Sequence, residues 1–187
     1  MRLSAPRIAP LDEQHWPAEA REILGRAGES ERTFNVFRTL ARYPKLLKRW
    51  LPFANHVLFK SALPAREREI LILRIGWLCQ SEYEFAQHVA IGRRAGLTDA
   101  DIQRIVDGPD ATGWEPFEAT LVRAADELHR DAFVTESSWT ALATRYGAEQ
   151  LMDAVFTVGQ YNLVSMALNS FGVPLDPGLE GFSRWRR

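Results

Sequence analysis

The run ILILRIGWLC, residues 70–79, constrains this chain more than any other stretch, because it holds ten positions with a single charge, Arg74. It continues from AREREI after Pro64 and reads as a helix that is apolar on nearly every side beyond Glu69. Such a helix is stable only when other helices surround it. No segment of the chain shows the sustained period-two alternation, rich in Val, Ile and Thr, that marks strands. The expected fold is therefore all-α, a bundle with residues 65–79 at its centre.

Helix signals surround that segment. Pro17 opens a short helix, AEAREIL, that stops near Gly25, and FNVFRTLAR closes at Tyr43 and Pro44. Pro44 starts KLLKRWLPFANHVLF, where Pro52 should kink the helix or mark its restart. The helix EYEFAQHVAIGRRA follows Gln80 and Ser81 and ends at a left-handed Gly96. Thr98 and Asp101 form a capping pair for a short helix ending at Asp107-Gly108-Pro109. EPFEATLVRAADELHRDA comes next, then a helix capped by Thr135, then GAEQLMDAVFTVGQYNLVSMALNSF, which Gly172 and Pro174 stop. One domain spanning 1–187 is expected, with 1–16 and 176–187 as extended arms.

Composition excludes several function classes. The 23 basic and 24 acidic side chains leave a formal charge of -1, so no overall field draws the chain to nucleic acid or an anionic membrane. The basic, Trp-containing stretches KLLKRW and SRWRR are too short to form a track. Cys79 is the only cysteine, which rules out an internal disulfide framework and a multi-cysteine zinc site. The opening residues contain no signal-like apolar core, and Arg74 breaks the longest apolar run well short of a membrane span. A soluble, unprocessed cytoplasmic protein is expected.

Directly after the buried run stands SEYEFAQH, residues 81–88. Glu84 and His88 are four apart and share a helix face, so the carboxylate can hold one imidazole nitrogen and fix its tautomer. A histidine held in this way can pass a proton to or from a substrate. Ser81 lies one turn earlier on the same face. Glu69 approaches it if the two helices turn back on each other at Gln80 and Ser81. The bland alternative is a solvated Glu/His pair of little energetic consequence. A metal site lacks a clustered third ligand, although His56 or Glu69 could supply one in space.

These residues carry a resemblance. LPAREREILILRIGWLCQSEYEFAQHVAIGRRAGLTDADI resembles the carboxymuconolactone decarboxylase family, which also contains the AhpD-like alkylhydroperoxidases. The likeness is strongest over residues 63–102 and extends to NVFRTLARYPKLLKRW and QYNLVSMALNSFGVPLDPGLEGF. It implies an AhpD-like helical bundle with a core helical hairpin, assembled as a homo-oligomer (trimer, dimer or hexamer). In the peroxidase branch a glutamate precedes two cysteines separated by two residues, with a histidine four beyond the second. Counting back from His88 places Glu69 at the glutamate and Ser81 and Glu84 at the two thiols. Both thiols are missing, which argues against an internal disulfide mechanism but leaves open a one-cysteine reaction resolved by an external thiol. The decarboxylase branch has a glutamate four residues before the histidine, as here. It implies cofactor-independent loss of carbon dioxide from a small carboxylated, lactone-like substrate. By this resemblance His88 carries the proton, Glu84 orients it and Glu69 is a second relay carboxylate. No cofactor and no metal are implied.

Ser81, Arg74, Tyr83 and His56 are candidates to line the substrate pocket. Arg74 could meet a substrate carboxylate or form a salt bridge to another helix. Asn162, Ser165 and Asn169 make a polar line through the last helix, read as an interface or core network. Tyr161 either offers its hydroxyl to the pocket or packs. Cys79 reads as a small buried hydrophobe at a helix end. A third class of function is a non-catalytic helical oligomer in which Glu69, Glu84 and His88 form a structural network.

Overall fold

The computed structural model describes residues 3–25 and 34–185. Its helices are α1 (Ala18–Gly25), α2 (Asn35–Leu40), α3 (Pro44–Asn55), α4 (Ala65–Leu78), α5 (Glu82–Arg94), α6 (Asp99–Asp107), α7 (Pro116–Asp131), α8 (Glu136–Ala143) and α9 (Ala148–Phe171). No strand occurs among the described residues. No helix among them is long and apolar enough to cross a membrane.

The apolar run does what its composition requires. Residues 69–76 of α4 are all buried, and α4 packs against α5, α7 and α9. α4 and α5 form the hairpin, joined by a turn in which Gln80 takes a left-handed φ of 51°. Two glycines let the arms approach. A Cβ on Gly76 would lie 3.6 Å from the backbone nitrogen of Phe85, and one on Gly92 would meet Leu97 Cδ1 at 2.8 Å and Leu73 Cδ1 at 3.3 Å.

The caps follow local chemistry. Thr98 and Asp101 form a full capping box at α6, and Thr135 caps α8. Gly96 and Gly172 end α5 and α9 with φ of 91° and 70°. Pro52 does not interrupt α3. The helix runs on to Asn55 and then widens into a π-helical turn, His56–Lys60.

The two ends, expected as arms, lie on the bundle. The N–H groups of Arg7 and Ile8 donate to Phe171 O at 2.8 and 3.1 Å, and Trp16 is buried. At the other end Phe182 and Trp185 are buried, with Phe182 edge-on to Trp77 at 4.8 Å and tilted against Phe85 at 5.4 Å. Aromatic payload explains the difference, because the three large rings of the ends, Trp16, Phe182 and Trp185, bury more surface than a short segment gains by staying solvated.

Candidate functional site

The hairpin brings Glu69 and His88 together across α4 and α5. His88 Nδ1 lies 2.7 Å from Glu69 Oε2, and His88 Nε2 lies 3.0 Å from Glu84 Oε1. Each imidazole nitrogen therefore faces a carboxylate oxygen. An ionised carboxylate only accepts, so both nitrogens must donate, and the geometry calls for an imidazolium. Burial works against that charge, but the Glu69 carboxylate and then Glu84 outweigh it, and the His88 pKa is pushed up from 6.5 to about 9.

The surroundings close the charge balance. Arg68 Nε stands 3.4 Å from the second oxygen of Glu69, so two cations face two carboxylates. The ring of Tyr161 from α9 meets His88 edge-on, with centroids 4.8 Å apart at 83°. Burial pushes the Tyr161 hydroxyl well above its usual pKa, and the charges of Glu84 and Glu69 add to this. Thr157 and Ser165 stand four residues either side of Tyr161 and so share its face of α9. Their buried hydroxyls, and that of Ser81, have no hydrogen-bond partner among the described residues.

The relay is enclosed. The side chain of Glu69 is fully buried, at 0%, and that of Glu84, at 7%, is its slightly open end. A cavity of about 230 Å³ lies beside the hairpin turn and is lined by Gln80, Glu82, Tyr83, Asn169 and Phe182 among others. Of the candidate site residues only Tyr83 reaches that cavity.

The other candidates are placed elsewhere. Arg74 forms a two-pronged pair with Asp126 at 2.5 and 2.9 Å and donates to Ile105 O and Val106 O at 2.8 and 3.0 Å. Its fork is committed to α6 and α7, which is the salt-bridge alternative. The Tyr83 hydroxyl donates to Asp176 at 2.6 Å and accepts from Val36 N–H at 3.1 Å, tying α5 to α2 and to the C-terminal segment. His56 pairs with Asp153 at 3.1 Å and is half exposed. Asp153 is eight residues before Tyr161, roughly 12 Å along α9, so His56 stands apart from the relay. Among the described residues no group of three or more His, Cys, Asp or Glu is arranged to hold a metal ion.

Two features escape sequence reasoning. Arg68 precedes Glu69 on the same helix, and adjacency gives no hint that its guanidinium folds back on the carboxylate. Cys79 is half buried rather than fully so. Its S–H donates to Asn162 Oδ1 at 2.9 Å, His129 Nδ1 is 3.9 Å from the sulfur, and Asn169 Nδ2 donates to the Cys79 carbonyl at 2.9 Å. The polar line on α9 thus seals the open end of α4. A periodic Asn/Ser/Asn stripe signals such a network but not its partner.

The carboxymuconolactone decarboxylase family model matches residues 44–127, a segment that contains Glu69, Ser81, Glu84 and His88. Over that segment the chain is similar to the carboxymuconolactone decarboxylase family. Solved structures extend the likeness to the whole bundle. A peroxidase-related protein of Ralstonia eutropha JMP134 with an alkylhydroperoxidase AhpD core superposes with a TM-score of 0.78 at 20% identity, covering 91% of this chain and 93% of that one. A peroxidase-related protein of Silicibacter sp. TM1040 gives a TM-score of 0.76 at 13% identity, covering 99% and 97%. The debrominase Bmp8, solved with 2,3,4-tribromopyrrole, gives 0.73 at 11% identity, covering 93% and 94%. These likenesses establish the AhpD-like all-α fold. No curated protein sequence is significantly similar to the chain.

Proposed function

We propose that Glu69, His88 and Glu84 are the proton-transfer centre of an enzyme that decarboxylates a small, lactone-like carboxylic acid without a cofactor. The observation that carries this reading is the His88 ring held at 2.7 and 3.0 Å between two buried carboxylates, within the segment that matches the family. In the reaction the bond between the ring carbon and the carboxylate breaks and carbon dioxide leaves. The electron pair stays on the ring and spreads into the lactone carbonyl as a dienolate. A proton then adds to carbon. Glu84, the outward member of the relay, takes the Nε2 proton of His88, which Glu69 holds in place, and passes it to that carbon, and a proton from solvent restores the imidazolium. Ser81, one turn before Glu84, has the unpartnered hydroxyl that a developing oxyanion requires.

The test is carbon dioxide release from a panel of carboxylated lactones by the native chain, Glu84→Gln and His88→Gln. Turnover that falls about 10²- to 10⁴-fold in both variants, with the fold retained, supports the reading. Unchanged turnover in His88→Gln contradicts it.

Two other readings each have an observation behind them. The half-buried thiol of Cys79 beside His129 favours thiol-dependent peroxide reduction, as the peroxidase-related neighbours suggest. There the thiolate would attack one peroxide oxygen, the O–O bond would break with release of an alcohol, and two external thiols would return the sulfenic acid to thiol with loss of water. The accepting Asn162 oxygen holds the neutral thiol instead, which places this reading second. Enclosure of the relay favours a purely structural staple between α4 and α5. In that case His88→Gln lowers stability and no lactone acid is turned over by the native chain.

A further inference from the structure

Helix α4 carries three arginines, and two of them are saturated. Arg66 pairs with Glu118 at 2.6 and 3.2 Å and with Asp101 at 3.2 Å, and it donates to Gly96 O at 2.8 Å. Arg74 is held by Asp126 and two backbone carbonyls. Arg68 differs. Its Nε makes one long contact, 3.4 Å to Glu69, and neither Nη nitrogen has a hydrogen-bond partner among the described residues. The side chain is only 13% exposed, and a guanidinium withdrawn that far from water is ordinarily satisfied by protein groups. Neither Nη nitrogen is sealed off, so the fork is within reach of a ligand.

The open fork stands beside the relay. Its Nε takes the Glu69 oxygen that His88 does not use, and the Tyr161 hydroxyl feels the charges of Glu84, Glu69 and Arg68 together. A second unsatisfied group comes from α9. Asp153 accepts from Ala62 N–H, and Asn169 donates to Cys79 O, pairs 91 and 90 residues apart in sequence. The two helices therefore run side by side in the same direction, and Thr157 stands level with residues 66–67, within a turn of Arg68. Thr157 is fully buried, at 0%, and its hydroxyl has no partner among the described residues.

A guanidinium fork matches a carboxylate, two N–H donors against two oxygens. Glu69 and Glu84 nearby penalise a doubly charged anion, which favours a single carboxylate over a phosphate. We propose that Arg68, with Thr157 beside it, is the subsite that grips the carboxylate of the substrate acid, a role the committed fork of Arg74 cannot fill. That this carboxylate is the group lost as carbon dioxide rests on the decarboxylase reading. Carbon dioxide leaves neutral, so the pairing weakens along the reaction and serves binding, selecting acids over their esters.

Isothermal titration calorimetry with paraconate tests the subsite. This saturated five-membered lactone acid lacks the ring double bond that a dienolate needs, and its methyl ester is the uncharged control. The native chain should bind the acid at least about 10-fold more tightly than the ester. With the helical circular dichroism retained, Arg68→Gln should weaken acid binding about 10- to 100-fold, and Thr157→Val about 3- to 10-fold, while ester binding moves less than about twofold. Arg68→Lys keeps a charge beside Glu69 but loses the fork, and should still bind the acid about 10-fold more weakly. Full recovery by lysine marks a counter-ion to Glu69 and overturns the proposal. So does a native chain that binds the acid no better than the ester, or acid binding unchanged in Arg68→Gln or Thr157→Val. Arg68-dependent binding without carbon dioxide release from any lactone acid leaves the subsite standing and overturns the decarboxylase reading alone. Carbon dioxide release with a KM that does not depend on Arg68 does the reverse.

Discussion

The charge state of His88 makes stability depend on pH with a definite sign. Its pKa is raised from 6.5 to about 9 by Glu69 and Glu84 against the opposing effect of burial. Each unit corresponds to about 1.36 kcal/mol, so the imidazolium contributes about 3 kcal/mol to folding. Because the folded pKa is the higher one, this contribution is fully present below pH 6.5 and is lost as pH rises through about 9. The perturbation that isolates it is the neutral triple variant Glu69→Gln, His88→Gln, Glu84→Gln, which leaves other titrating groups in place. Urea unfolding followed by circular dichroism, at about pH 6 and about pH 9.5, should show the native chain losing about 3 kcal/mol more than the triple variant. Glu84→Gln, with one carboxylate fewer, should narrow the window by lowering the upper pKa. If burial dominated instead, His88 would be neutral when folded, and stability would rise with pH through about 6.5. A rise of that kind, or equal pH dependence in both proteins, refutes the reasoning.

Other consequences are equally open to measurement. Gly92→Ala should lower stability by about 1 to 2 kcal/mol in urea titrations, because the new methyl meets Leu97 at 2.8 Å and overpacking outweighs the gain in helix propensity. Arg74→Met should cost about 3 kcal/mol by stranding Asp126 and two backbone carbonyls, while turnover per folded molecule stays within about twofold. Cys79→Ser should leave carbon dioxide release intact, and a coupled thiol-oxidation assay should show no hydroperoxide consumption that depends on Cys79. Loss of decarboxylation in that variant would move the chemistry to the thiol.

Much of the fold was legible because its signals are local. The all-round apolar run of α4 demanded a central position, and the Thr98 to Asp101 pair and Gly96 fixed element ends through side-chain and backbone chemistry that needs no tertiary partner. The relay was legible in part. The Glu84–His88 spacing lies on one helix, but the approach of Glu69 depends on how tightly the hairpin closes, which Gly76 and Gly92 decide. Arg74, Tyr83 and His56 looked alike as polar residues near a buried segment. Their roles separate only once Asp126, Asp176 and Asp153, which are 52, 93 and 97 residues distant in sequence, are brought against them. The packed ends illustrate the same limit, since Phe182 and Trp185 have no period to read until Trp77 and Phe85 offer rings to meet.

The measurement that bears most directly on the account is nitrogen NMR of the chain labelled at its histidine rings, assigned with His88→Gln. At about pH 7.5 both ring nitrogens of His88 should carry protons and should couple to slowly exchanging hydrogens, with one proton lost at a midpoint of about 9. A neutral His88 with a single N–H at that pH would contradict the imidazolium relay on which the proposed proton transfer rests.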